Sequence, residues 1–155
     1  MKSHFLDELN SHEDVQSDEA RLNNSLQVWT PHGSSYYNDP GIQADWHSAR
    51  DLCRSFGGYL VTIRSQETLD FINGFKSVPA DQYWIGASDE KKEGTFVWVN
   101  DEPWDFEIFP PTEPNGDTVE NCLLLFGDSK PAEEKGKFND MICSDEFRFI
   151  CERNI

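Results

Sequence analysis

PTEPNGDTVENC, residues 111–122, is the stretch on which the reading of this chain turns. Between a proline and a cysteine it holds Glu113, Asn115, Asp117, Glu120 and Asn121. Turn formation accounts for the prolines, the asparagines and Gly116, because these residues favour turn geometry. It does not account for so many side-chain oxygens in so short a space. Carboxylates that converge suit a cation; carboxylates that do not are solvated surface.

The rest of the chain narrows the classes. Its 155 residues suffice for one domain with its own core. There are 29 acidic and 13 basic side chains, a net charge of -16, which argues against nucleic acid or an anionic membrane bound through bulk charge. The sequence has no apolar run long enough to span a membrane. The opening MKSHFLDELNSHED lacks the apolar core of a secretion signal. The four cysteines, Cys53, Cys122, Cys143 and Cys151, allow three disulfide connectivities. No CxxC is present, and His4, His12, His32 and His47 all lie in the first third, so the ligand spacing of a zinc site is missing. Disulfides imply an oxidising compartment. Asn23-Asn24-Ser25 is a glycosylation sequon, which agrees with secretion.

Along the chain, residues 1–25 are polar and acidic with scattered Phe5, Leu6, Leu9 and Val15, a flexible or oligomerising tail. A domain is expected over 26–155. SLQVWT and SSYY are strand-like. DWHSARDLCRSFGG places Trp46, Ala49, Leu52 and Cys53 at helical spacing and stops at Gly57-Gly58. YLVTI (59–63) reads as a strand. Ser65 can cap a second helix with Leu69, Ile72 and Phe75 on one face. Then YWIGAS (83–88), TFVWVN (95–100), NCLLLF (121–126) and FRFICE (147–152) read as strands. Between Val99 and Asn121 runs a connection of roughly 20 residues with four prolines, a length usually functional or disordered. Helices followed by antiparallel strands is an α+β order.

Trp84-Ile85-Gly86-Ala87, Glu113-Pro114-Asn115, Glu120-Asn121-Cys122 and Phe138-Asn139-Asp140, in this order with the four cysteines, resemble the C-type lectin-like domain over about residues 28–153. The resemblance implies pairs Cys53–Cys151 and Cys122–Cys143, the short form without an extra N-terminal pair, on an α+β fold with a long calcium-binding loop. The first pair closes nearly the whole domain, worth roughly 4–5 kcal/mol in the chain-entropy model. The second ties the strand after PTEPNGDTVEN to the segment after KFND.

In the family these positions hold calcium, so the implied ligands are Glu113, Asn115, Glu120, Asn139 and Asp140, and the same five contact sugar. All five are oxygen donors of the kind calcium takes, roughly six to eight of them at about 2.3–2.6 Å. The Glu113-Pro114 bond is expected to be cis, which X–Pro bonds tolerate. Glu-Pro-Asn implies mannose-type sugars (mannose, glucose, N-acetylglucosamine, fucose); the galactose type reads Gln-Pro-Asp. A second calcium site is half present in Asp89, Glu93 and Glu120, with Gly116 and Asn121 where acids are usual and Asp117 as a substitute. Phe138 stands for the family's tryptophan. GDSKPAEEKGK (127–137) is long and reads first as a solvated surface loop, with contacts to the sugar through Lys130, Glu133 or Lys135 as the alternative. Trp84, Phe96, Trp98, Phe126 and Phe149 are expected in the core. Trp104, Phe106 and Phe109 lie in the long loop, and Phe109 is expected to pin it.

The expected function is therefore calcium-dependent binding of mannose-type glycans by a secreted module that recognises cells or microbes, with homo-oligomers supplying avidity. The alternative is a protein-binding or ice-binding member in which calcium only orders the loop. No nucleophile–base constellation is visible, and carboxylates committed to calcium leave no general acid, so catalysis is not expected.

Overall fold

The structure is a computed structural model describing residues 27–115 and 119–154. The acidic tail and Asp117 lie outside the described residues. A hairpin opens the domain: β1 (Thr30–His32) and β2 (Ser35–Asn38) turn through Gly33 at φ 60°, a left-handed conformation that glycine adopts freely. α1 (Trp46–Ser55) starts where the Asp45 carboxylate accepts from the Ser48 N–H at 2.9 Å. It buries Trp46, Ala49 and Cys53 along one stripe and stops before Gly57, at φ 93°. β3 (Tyr59–Leu60) follows. α2 (Gln66–Phe75) is capped by Ser65 as expected, its Oγ accepting from Thr68 N–H at 3.1 Å, with Leu69 and Ile72 buried.

Two sheets complete the α+β fold. β9 (Cys151–Asn154) lies between β2 and β3, giving the order β1-β2-β9-β3. The second sheet runs β5-β4-β6-β7: β5 (Val97–Trp98), β4 (Tyr83–Ser88), β6 (Cys122–Leu125) and β7 (Phe138–Met141), all antiparallel. β8 (Arg148–Phe149) pairs with β4 in parallel. β4 is buried along its whole length, as a run of six residues rich in aromatic and aliphatic side chains demands. Both disulfides form as the resemblance implied. Cys53–Cys151 joins α1 to β9 at a Cα–Cα distance of 5.3 Å, and Cys122–Cys143 joins β6 to the segment after β7 at 5.2 Å.

Three expectations need correction. The first strand is not SLQVWT: the ladder begins at Thr30 and runs through Pro31 and His32. Pairing to β2 rather than local propensity sets that boundary. YLVTI is a strand only at Tyr59–Leu60. Val61 N–H still donates to the Ile150 carbonyl at 3.0 Å, but beyond it the Thr62 N–H donates to the Glu152 carboxylate at 2.9 Å instead of to a strand carbonyl. FNDM was not anticipated as a strand, since asparagine and aspartate are poor strand formers. It forms β7 because Leu123 faces Asp140 and Leu124 faces Asn139 in one register with β6.

Packing makes two positions sensitive. A Cβ on Gly86 would sit 2.5 Å from the Leu60 carbonyl oxygen and 2.9 Å from Val99 Cγ2. The first is backbone and has no rotamer to yield, so Gly86→Ala is expected to cost about 1–3 kcal/mol in urea unfolding with the disulfides intact.

Lys76 is 5 % exposed, donates to the Phe126 carbonyl at 3.2 Å and lies 5.6 Å from the Tyr83 ring centre. Burial pulls its ammonium down to about 8 against a weaker upward pull from Asp128. Below pH 8 the lysine is protonated folded and unfolded, and the desolvation cost is present in full. Between about 8 and 10.5 the folded state releases the proton first, so stability rises with pH. Lys76→Met is expected to stabilise the protein at pH 7 by on the order of 1–2 kcal/mol. That advantage should shrink between pH 8 and 10 in paired thermal melts.

Candidate functional site

The long connection between β5 and β6 is built from the inside outward. Its described residues contain no helix or strand. Trp104, Phe106, Ile108 and Phe109 instead pack against the core. Phe138, fully buried at the start of β7, meets the rings of Trp98, Trp104, Phe106 and Phe109 at centroid distances of 6.2, 6.1, 6.2 and 5.7 Å. Its N–H donates to the Ile108 carbonyl at 2.8 Å. Phe109 pins the loop as expected, and Trp104 and Phe106 pin it as well. The loop root is tied separately: Arg64 donates to both oxygens of Asp105, at 3.1 and 2.6 Å, and to Glu102 at 2.9 Å.

This anchoring carries the chain to Glu113, whose bond to Pro114 is cis. The Asn115 N–H donates to Asp140 Oδ1 at 3.2 Å, joining the loop to β7 directly. On β7, Asn139 and Asp140 are 4 % and 2 % exposed. Glu120 lies two residues before β6, the strand that pairs with β7, and the Cys122–Cys143 bond holds the two segments together. The fold thus brings Glu113, Asn115, Glu120, Asn139 and Asp140 to one end of the second sheet, although 18 residues or more separate Glu120 from Asn139 in sequence.

The electrostatics show how crowded that end is. Glu113 is pushed up to about 7, first by burial, then by a hydrogen bond and charge from Asp140, then by Glu120 and Glu134. Glu120 is raised by burial, Asp140 and Asp145. Like charges held together in a partly desolvated place favour the protonated form. One buried oxygen of Glu113, Oε1, and Oδ1 of Asn139 have no hydrogen-bond partner. Acceptors buried without donors cost free energy, and a hard cation would satisfy both. By donor type and by these orphan oxygens, the set fits calcium.

Among the described residues, no three carboxylates bring oxygens within 4.8 Å of one another; the single His/Cys/Asp/Glu group at that spacing is Glu90 with Cys122 and Cys143. Those sulfurs are bonded to each other and offer no thiolate.

The half-site is arranged differently. Asp89 is 3 % exposed, its Oδ2 accepts from Gly94 N–H at 2.9 Å, and its own N–H donates to the Asn121 carbonyl at 2.9 Å. Asp89 and the Glu120–Asn121 segment are therefore neighbours, and Asp89 Oδ1 is buried without a hydrogen bond. Glu93 lies in the exposed turn that Gly94 closes. In the 127–137 loop, Glu134 is the residue whose charge reaches Glu113, rather than Glu133, Lys130 or Lys135. The loop wraps back through Gly136 N–H to the Phe126 carbonyl at 2.9 Å, a path that sequence pattern did not disclose.

The Lectin C-type domain family matches residues 42–153. Salivary C-type lectin 2 of Aedes albopictus is 34% identical over 125 residues, which cover 76% of this chain and 82% of that protein. C-type lectin domain family 3 member A of Homo sapiens is 34% identical over 127 residues, covering 80% of this chain and 61% of its own length. The chain spans only 8% of the human C-type mannose receptor 2, which is 28% identical over the shared part. Among solved structures, the cow carbohydrate-recognition domain of CD23, crystallised in the presence of GlcNAc2Man3 oligosaccharide, superposes with a TM-score of 0.72 at 31% identity, covering 82% of this chain and 93% of that one. A calcium-independent type II antifreeze protein superposes with a TM-score of 0.73 at 27% identity, covering 81% and 91%. With the family matched over residues 42–153 and the salivary lectin 34% identical over 82% of its own length, this chain belongs to the C-type lectin domain family.

Proposed function

We propose that this chain is a secreted lectin that binds mannose-type glycans through calcium held by Glu113, Asn115, Glu120, Asn139 and Asp140. The observation that carries the reading is the three-carboxylate cluster that raises Glu113 to about 7 beside an unpartnered buried oxygen. When bound, calcium supplies open coordination positions that two neighbouring sugar hydroxyls can fill. The protein's own part is hydrogen bonding. Carboxylates of Glu113 and Glu120 accept from the hydroxyls, and the side-chain amides of Asn115 and Asn139 donate to them. The Glu-Pro-Asn order, as the resemblance implies, selects equatorial 3- and 4-hydroxyls. Asp89, Glu93 and Glu120 offer a second, weaker calcium position. Two disulfides and the salivary relative support an extracellular setting. Among the described residues no helix is long and apolar enough to cross a membrane. Recognition of cells or microbes would draw avidity from homo-oligomers, since one sugar makes few contacts.

Titration calorimetry with mannose and galactose, each in calcium and in EDTA, tests this. Heat from mannose in calcium alone is expected. Because ligand carboxylates must be deprotonated, calcium and sugar binding should fall together on acidification. The second reading is a member of the fold that binds a protein or ice surface, with calcium only ordering the loop; the antifreeze structure shares this fold, and that protein is calcium-independent. Calcium-dependent stabilisation with no heat from either sugar, and thermal hysteresis of the solution, would select it.

A further inference from the structure

We propose that Asn115 deamidates spontaneously when calcium is absent, and that this retires the proposed sugar site. The chain has two asparagines followed by glycine, Asn73-Gly74 and Asn115-Gly116. In such a pair the second residue carries no side chain, so its main-chain nitrogen has open access to the asparagine side-chain carbon. The structure separates the two pairs.

Asn73 and Gly74 both lie inside α2, which runs to Phe75. Helical geometry turns the Gly74 N–H back toward the carbonyl four residues earlier, away from the Asn73 side chain. That side chain is itself held, because its Nδ2 donates to the Gly136 carbonyl at 3.0 Å. Asn115 has neither restraint. It is exposed and belongs to no helix or strand. Its backbone N–H donates to Asp140 Oδ1 at 3.2 Å, but its side-chain amide has no hydrogen-bond partner among the described residues.

The reaction needs only water. The Gly116 nitrogen bonds to the side-chain carbon of Asn115, and the amide nitrogen leaves as ammonia with the displaced proton. Water then opens the resulting five-membered imide at either of its carbonyls. One opening gives aspartate; the other gives isoaspartate, in which the main chain runs through the former side chain. Nothing is oxidised or reduced. Either product changes the site. The amide offers two N–H donors, whereas a carboxylate offers only acceptors. A further negative charge joins Glu113, Glu120 and Asp140, and isoaspartate also lengthens the main chain by one carbon just after Pro114. The consequence for sugar rests on the calcium-dependent reading above, in which the Asn115 amide donates to a hydroxyl. In that reading an amide oxygen committed to calcium cannot swing its carbon onto the next nitrogen, so the reaction draws on calcium-free protein.

The experiment is peptide mapping by mass spectrometry of the full chain, aged in mildly alkaline buffer with EDTA or with calcium. In EDTA the mass gain of an amide-to-acid exchange is expected at Asn115 and not at Asn73. With calcium at about ten times its dissociation constant roughly one-tenth of the protein is unbound, so the rate should fall about tenfold. Gly116→Ala should slow the reaction in EDTA. The more acidic product, separated by anion exchange, should bind mannose about tenfold more weakly or worse. No gain at Asn115, an equal gain at Asn73, no effect of Gly116→Ala, or unchanged mannose affinity of the product would each overturn the proposal. Equal rates in calcium and EDTA would overturn the protection, and with it Asn115 as a ligand. Fresh protein that binds neither calcium nor mannose would instead sink the proposed function, and the mass gain at Asn115 in EDTA would still be read.

Discussion

Asp140→Asn is expected to abolish the proposed mannose binding in calcium and, in EDTA, to leave the protein more stable than the wild type. The two effects have one cause. Asp140 is 2 % exposed and accepts from the Asn115 N–H, so it sets both the charge and the alignment of the loop. It also raises both Glu113 and Glu120. Asparagine keeps the shape and can keep the hydrogen bond, but removes one of three negative charges. Calcium affinity should fall by about 100-fold or more, beyond the range seen when only an outer partner of a metal ligand is lost. Without calcium the missing charge is a relief: about 0.5–1 kcal/mol, the scale of one partly screened charge pair. Calorimetry of calcium binding and paired melts in EDTA read the two halves separately. A variant that binds calcium normally would remove Asp140 from the ligand set. One that is destabilised in EDTA would mean that Asp140 serves mainly as a structural acceptor. Glu134→Gln is the contrast: its charge reaches Glu113 only as the last of several influences, so a loss below about tenfold is expected.

Much of this was legible in the chain. Helical spacing found α1 and α2, and Ser65 announced its cap, because both signals are local. The burial of YWIGAS followed from its composition. The strand at Phe138–Met141 was not legible as a strand, because Asn139 and Asp140 disfavour one locally and are held there by pairing with Leu124 and Leu123. The pairing of cysteines was beyond the residues themselves and came from resemblance. The role of Glu134 was hidden for a different reason. Which acid of PAEEK turns toward Glu113 depends on loop closure through the Gly136 and Phe126 backbones.

Phe138→Ala is expected to cost about 3–5 kcal/mol and to weaken calcium binding without touching a ligand oxygen. The side chain is fully buried, and four aromatic rings from β5 and the long loop converge on it. Removing it opens a cavity where that loop packs on β7, next to Asn139 and Asp140. A loop no longer pressed onto Phe138 would spread Glu113 and Asn115 over more conformations, and each must be lost again when the ligands gather. The destabilisation should therefore be larger in calcium than in EDTA, because calcium stabilises the wild type by mass action more than a variant that binds it more weakly. Urea unfolding in both conditions gives the two free energies. Phe138→Leu separates packing from collapse: it retains most of the volume, should cost less, and should keep calcium binding near normal. If Phe138→Ala lost less than about 1 kcal/mol, the Arg64 ties to Glu102 and Asp105 would be the anchor of the loop instead, and the aromatic cluster would be filling rather than support.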